Sequence, residues 1–156
     1  MHTYSIRIAG ALMVVALLAT GSAQASGHVF TASNAKWKIE CNACHIAYSP
    51  KLLPAESWKV LMFGLDKHFG SDASIDPITT SEIAAFLQAN AGGYRSETSG
   101  KPNLRVTDSR WFKREHSEVS ETTWKSPKVK SASNCSACHT QAENGDFSER
   151  SLRLPK

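Results

Sequence analysis

The sequence predicts a mainly α-helical protein made of two small domains, each folded around one copy of a Cys-x-x-Cys-His motif. Three observations carry that expectation. All four cysteines of the 156-residue chain fall in the two motifs, Cys41-Asn42-Ala43-Cys44-His45 and Cys135-Ser136-Ala137-Cys138-His139. Apolar residues recur at spacings of three and four, and no stretch persuasively alternates with the period of two that a half-buried strand needs. Apolar content is modest, so side chains alone would build a thin core, and an added staple is expected.

Residues 1–25 read as a secretory signal peptide. Arg7 gives a positive start, Ile8 to Ala19 an apolar run, and Ala23-Gln24-Ala25 the small residues at which cleavage occurs. The run is shorter than the roughly 20 residues that would make an uncleaved anchor. Removing Arg7 lowers the formal charge from +4 to near +3, with no dense basic run, which disfavours nucleic-acid binding.

Residues 26–40 form a lead-in containing Trp37, and His28 lies near a chain end of the kind that commonly frays. After the first motif and a loop through Tyr48-Ser49-Pro50, Pro54 suits a first helical turn. Trp58, Leu61, Met62, Leu65, His68 and Phe69 then share one helical face, and Gly70 ends the pattern. Asp72 to Pro77 is a polar turn. Thr79 and Glu82 fit a capping box and Ile78 with Ile83 a hydrophobic staple, opening a helix whose stripe is Ile83, Phe86, Leu87 and Ala91. Gly92-Gly93 stops it.

Polar residues 96–103, with Gly100 and Pro102, mark a linker between an N-terminal domain at 26–95 and a C-terminal domain at 104–156. In the second domain Asp108 or Ser109 is a plausible N-cap for a helix on which Trp111, Phe112, Glu115, His116 and Val119 share a side. The second motif follows, then a polar tail from Gln141 to Lys156. So short a segment does not readily build its own core, and the bound group is expected to serve as one.

Cys-x-x-Cys-His is the attachment signature of c-type haem. Two thiols on one helical turn can reach the two vinyl groups on one porphyrin edge, and the next residue turns its imidazole to the iron. Cys41 and Cys44, and Cys135 and Cys138, are thus the expected covalent attachments, with His45 and His139 as iron ligands. A Cys₂…Cys₂ zinc site is the chemical competitor. It explains neither the histidine directly after each pair nor export, and 90 residues separate Cys44 from Cys135. A thioredoxin-like dithiol would need a βαβ context that the pattern lacks.

The second axial ligand decides what each iron can do: an open position permits catalysis or gas binding, and a second strong ligand restricts it to electron transfer. Past the signal peptide, the histidines outside the motifs are His28, His68 and His116, and Met62 is the methionine. His68 and His116 stand on apolar helical faces and are the candidates. Met62 is the rival on the same face as His68, its alternative role being core filler. His28 is assigned no ligand role.

Glu40-Cys41-Asn42-Ala43-Cys44-His45-Ile46-Ala47-Tyr48, Leu53-Pro54-Ala55-Glu56-Ser57-Trp58 and Leu65-Asp66-Lys67-His68-Phe69-Gly70 resemble the small bacterial dihaem cytochrome c (DHC-type) family. Trp111-Phe112 through Glu115-His116, with Asn134-Cys135-Ser136-Ala137-Cys138-His139, is similar to that family's second haem site. The resemblance implies an N-terminal domain like class I cytochrome c and a smaller, irregular C-terminal haem domain. It further implies two covalently bound, low-spin, bis-histidine haem c groups. His68 would pair with His45 and His116 with His139, although spacing alone leaves the crossed assignment open. A periplasmic electron donor is implied, with a small oxygen-binding monohaem cytochrome c as one type of partner. A membrane cytochrome is a further candidate partner.

Electron transfer between redox proteins, with no small-molecule substrate, is therefore the leading expectation. An enzyme such as a haem peroxidase or oxyanion reductase would need one iron free of His68 or His116. A haem-based sensor would need an output domain, which the sequence does not contain.

Overall fold

The computed structural model describes residues 28–92 and 101–155. The signal-peptide assignment at 1–25 and most of the 96–103 linker lie outside the described residues. Those residues form five α-helices: α1 (Ala35–Cys41), α2 (Ala55–Met62), α3 (Pro77–Ala89), α4 (Arg110–Glu115) and α5 (Glu121–Lys125). Short 3-10 turns lie between and after them, and only isolated bridges stand where a sheet would be. The mainly α expectation holds. Among the described residues no helix is long and apolar enough to cross a membrane.

The first half has a side-chain core. Trp37 of α1, Leu53, Trp58 and Met62 of α2, and Ile83, Ala84 and Leu87 of α3 pack as one buried cluster. Full burial of Ile83 and Leu87 contributes about 2 kcal/mol each. The Trp58 indole donates to the Pro50 carbonyl at 2.7 Å, so the one polar atom of that ring is satisfied inside the cluster. Met62 is 6% exposed within this core, the filler role rather than an open ligand position.

Two local expectations are corrected. The helix expected to run from Pro54 through Phe69 stops at Met62. Gly64, a poor helix residue, takes φ −127°, and the chain re-forms only as a single 3-10 turn over Leu65–Lys67. His68 therefore sits after a turn, in extended backbone, and bridges to Ser71. The helix expected to open at Thr79 begins two residues earlier. Asp76 is its N-cap, accepting from the Ile78 and Thr79 amides at 3.0 and 2.9 Å, and Pro77 occupies the first helical position. An aspartate cap joined to a proline at N1 outcompetes a threonine inside the turn. Ile78 is 78% exposed, so the staple does not form, and Glu82 pairs with Lys36 of α1.

The second half packs differently. Its buried apolar side chains are Phe112, Val129 and Ala142. Ser109 caps α4 by accepting from the Phe112 amide at 3.0 Å, one of the two caps expected. The polar tail folds back over the second motif: Arg153 N–H donates to the Cys138 carbonyl at 2.8 Å, Thr140 N–H to that of Ser151 at 3.1 Å, and His139 bridges to Leu152.

The lead-in is not frayed at His28. Phe30 N–H donates to the Gly145 carbonyl and Phe147 N–H to the His28 carbonyl, both at 2.9 Å, and Val29 bridges to Asp146. Residues 28–30 are thus strapped across the C-terminal segment. Val106 packs against the first core, and the Arg105 guanidinium lies 4.2 Å from the centre of the Phe69 ring.

Candidate haem sites

Each motif is presented at the end of a helical turn. Cys41 is the last residue of α1, and Cys44 and His45 follow in a turn braced by Asn42, whose side-chain oxygen accepts from the Ala47 amide at 2.6 Å. Cys135 to Ala137 form a 3-10 turn that leads into Cys138 and His139. None of the four cysteines is paired in a disulfide. Burial pushes the Cys41 thiol, with help from Glu40, and the Cys135 thiol up to about 11. Among the described residues no three His, Cys, Asp or Glu side chains cluster in a way that could hold a bare metal ion.

The four candidate imidazoles come together in two pairs. His45 and His68 have ring centres 6.1 Å apart, with planes 24° from parallel. His116 and His139 have the same 6.1 Å separation, with planes at 79°. Two metal–imidazole bonds of about 2 Å on opposite faces of one metal place ring centres about 6 Å apart. Each pair therefore has the spacing of two imidazoles facing one iron, and the uncrossed combinations are the ones brought together.

The nitrogens point to the same fit. His45 Nδ1 lies 2.7 Å from the Ile46 carbonyl, and His116 Nδ1 lies 2.9 Å from that of Phe112. A backbone carbonyl holding a proton on Nδ1 leaves Nε2 as the lone-pair donor, the arrangement that orients metal-binding histidines. His68 and His139 have buried Nδ1 atoms with no hydrogen-bond partner among the described residues. Burial, and then the neighbouring His45 or His116, lowers the pKa of His68 and of His139, against a small opposing effect of Asp146 at His139. Both influences favour the neutral imidazole that a metal requires. Paired cysteines followed directly by histidine, with a second imidazole brought opposite each, are the donor set that covalent haem c needs.

Aromatic walls surround each pair. Phe69 meets the His68 ring edge-on at 4.8 Å, held in a left-handed conformation at φ +50° with Arg105 over its face. Phe112 stacks on His116 at 4.0 Å, Trp124 stands 5.8 Å from it, and Phe147 stands 5.3 Å from His139. His28 stays apart from both pairs, its ring edge-on to Trp111 at 5.7 Å. Sequence patterning gave no sign of Phe147, because the tail lacks any periodic stripe. Tyr48 stood in view three residues beyond His45, but nothing local assigned it a role. Its ring stacks on His45 at 4.8 Å and its hydroxyl donates to the Ser133 carbonyl at 2.6 Å. Burial, with Cys135 nearby, pushes this phenol up to about 12 against the opposing hydrogen bond.

Comparison with known proteins gives the family. The family model described as dihaem cytochrome c matches residues 37–147. A diheme cytochrome c from Rhodobacter sphaeroides is 41% identical, with a TM-score of 0.69, 76% of this chain covered and 99% of the other. The diheme cytochrome type c from Shewanella baltica OS155 is 36% identical, with a TM-score of 0.69 and coverages of 78% and 93%. A DHC purified from Rhodobacter sphaeroides is 44% identical, with a TM-score of 0.61 and coverages of 74% and 97%. No curated protein matches. The chain belongs to the dihaem cytochrome c family, and is an electron-transfer protein, not an enzyme, that carries two covalently bound haem c groups.

Proposed function

We propose that this protein is a periplasmic electron carrier in which each iron is held between two histidines, His45 with His68 and His116 with His139. Cys41 and Cys44 hold the first porphyrin, and Cys135 and Cys138 the second. Bound haems would supply a one-electron iron couple; the four cysteines would attach them and the four histidines would hold their irons. The observation that carries this reading is the shared 6.1 Å separation of the two imidazole pairs.

Two imidazoles per iron leave no coordination position for a substrate and keep the iron low-spin in both oxidation states. Little then needs to rearrange when an electron arrives or leaves. In each pair one imidazole is anchored by a backbone carbonyl and the other is packed among aromatic rings, so the ligands are fixed before the electron comes. We assign one haem to each of two domains, 26–95 and 104–156, joined by 96–103.

Redox proteins are the partners. The family resemblance favours a small oxygen-binding monohaem cytochrome c, with a membrane cytochrome as a further candidate, and the signal-peptide pattern at 1–25 favours the periplasm. Intact mass and absorption spectroscopy of the mature protein test the proposal together. The expected result is the mass of two haems and a low-spin spectrum that carbon monoxide leaves unchanged after reduction. A high-spin band, or carbon monoxide binding by the intact protein, overturns the bis-histidine assignment.

A further inference from the structure

We infer that Tyr48 couples the two haem sites, holding the second attachment segment against the first iron ligand and carrying the electronic contact between them. The inference rests on the proposed role of His45 as an iron ligand. An unbroken series of contacts supports it. The His45 and Tyr48 rings stack with centres 4.8 Å apart and planes 26° from parallel. The Tyr48 hydroxyl donates to the Ser133 carbonyl at 2.6 Å, a short bond between residues 85 positions apart. The sulfur of Cys135 lies 3.7 Å from the same carbonyl oxygen, a contact that does not need the thiol proton. Four residues thus connect the iron ligand of one haem to the covalent attachment of the other.

Other contacts between the halves lack this property. The strap at residues 28–30 meets residues 145–147, and neither segment belongs to the first imidazole pair. Arg105 reaches His68 only through Phe69, and lies far along the chain from the second motif. Phe147 also touches a motif histidine, His139, and bonds to His28, but His28 lies 13 positions before Cys41, whereas Ser133, the partner of Tyr48, lies 2 positions before Cys135. A rigid aromatic ring costs little conformational entropy to hold in place, and its hydroxyl sets its direction.

The step it serves moves one electron. A ferrous iron at one site becomes ferric as the ferric iron at the other becomes ferrous. Tyr48 is neither oxidised nor deprotonated in the exchange: its proton stays on the hydroxyl that bonds Ser133. A physical network of this kind demonstrates coupling only when its removal changes a measured exchange between the sites.

The test uses the haem-loaded protein and two variants. Tyr48→Phe keeps the ring and loses the hydrogen bond, and Tyr48→Leu loses both. A pulse of photoreductant delivers less than one electron per molecule, and absorbance follows its redistribution between the haems. Redistribution is expected to slow in Tyr48→Phe and to slow further in Tyr48→Leu, with both variants retaining two haems and low-spin spectra. Amide exchange over residues 133–135 is expected to rise about fivefold in Tyr48→Phe, the factor that one neutral hydrogen bond is worth. An unchanged redistribution rate in Tyr48→Leu overturns the inference. The ligand assignment fails separately: a first haem that stays low-spin in His45→Ala refutes the role of His45, whatever the Tyr48 variants show.

Discussion

Replacing Gly145 with alanine should unfasten the N-terminal strap, and the cost follows from geometry. Gly145 has φ +75°, the left-handed region, where a side chain costs about 1–2 kcal/mol. A Cβ there would lie 2.2 Å from the Phe30 carbonyl oxygen and 3.2 Å from its carbon. That oxygen is backbone, so relief requires residues 28–30 to move. Movement gives up Phe30 N–H to the Gly145 carbonyl and Phe147 N–H to the His28 carbonyl. Two such bonds are worth about 2 kcal/mol together. The expected total is about 3–4 kcal/mol by these two contributions. Gly70 is the control, with φ +98° and nothing within 4 Å of a Cβ, so Gly70→Ala meets only the backbone cost. Guanidinium unfolding of the haem-loaded proteins, followed by tryptophan fluorescence, gives the difference in stability. Hydrogen exchange locates it, with protection lost at the Phe30 and Phe147 amides in Gly145→Ala but not in Gly70→Ala. Equal destabilisation by the two substitutions, or retained protection at those amides, would refute the argument.

Other outcomes follow from the sites. His68→Ala should open the first haem and His116→Ala the second, each giving a high-spin band and carbon monoxide binding with both haems still attached. His28→Ala and Met62→Leu should leave the low-spin spectrum unchanged, the latter at a stability cost under about 1.5 kcal/mol. Electron paramagnetic resonance of the oxidised protein should resolve two unlike low-spin centres. Held between the near-parallel His45 and His68 planes, the first iron would have strongly split π-bonding orbitals and a rhombic signal, whereas the 79° crossing of His116 and His139 would nearly cancel that splitting at the second and give one dominant large g value; two identical rhombic signals would contradict the proposed ligation. Hydrogen bonds, from Thr79 first and then Ile78, with Lys36 nearby, lower the pKa of Asp76. The unfolded chain therefore binds this proton more readily, and the contribution of Asp76 is present above about pH 4 and lost as pH falls through the depressed value. Asp76→Asn, which can still cap α3, should flatten the acid limb of a stability–pH curve, and an unchanged limb would exclude Asp76 as its source. A Cys135→Ala, Cys138→Ala double variant should lose ordered amides in the second half while the first keeps its protection, because among the described residues the joined side-chain core lies in the first half.

Short-range chemistry was legible without coordinates. Two Cys-x-x-Cys-His motifs point to the attachment of each haem and to the proposal of one ligand for it, because the reach of two thiols and an imidazole is set within five residues. The apolar spacing around Ile83 and Leu87 correctly marks a buried face, and Ser109 is readable as a cap. The places where sequence patterning fails are also physical. The repeat from Trp58 to Phe69 suggests one helix, but Gly64 breaks it, and the proximity of His68 to His45 comes from a turn instead of a helical face. Thr79 and Glu82 satisfy a capping pattern that the stronger Asp76-Pro77 pair pre-empts.

What the sequence determined by itself is the cofactor chemistry: paired thiols, the adjacent imidazoles and the residue types available to complete each iron. What only the tertiary structure decided is which distant groups meet. The proximity of His68 to His45 and of His116 to His139, the angle between each pair of rings, the strap from His28 to Phe147 and the bridge from Tyr48 to Ser133 all join residues with no local pattern in common. Covalent reach is encoded by spacing along the chain. Contact across dozens of residues depends on how helices and turns pack, and a one-dimensional pattern does not carry that information.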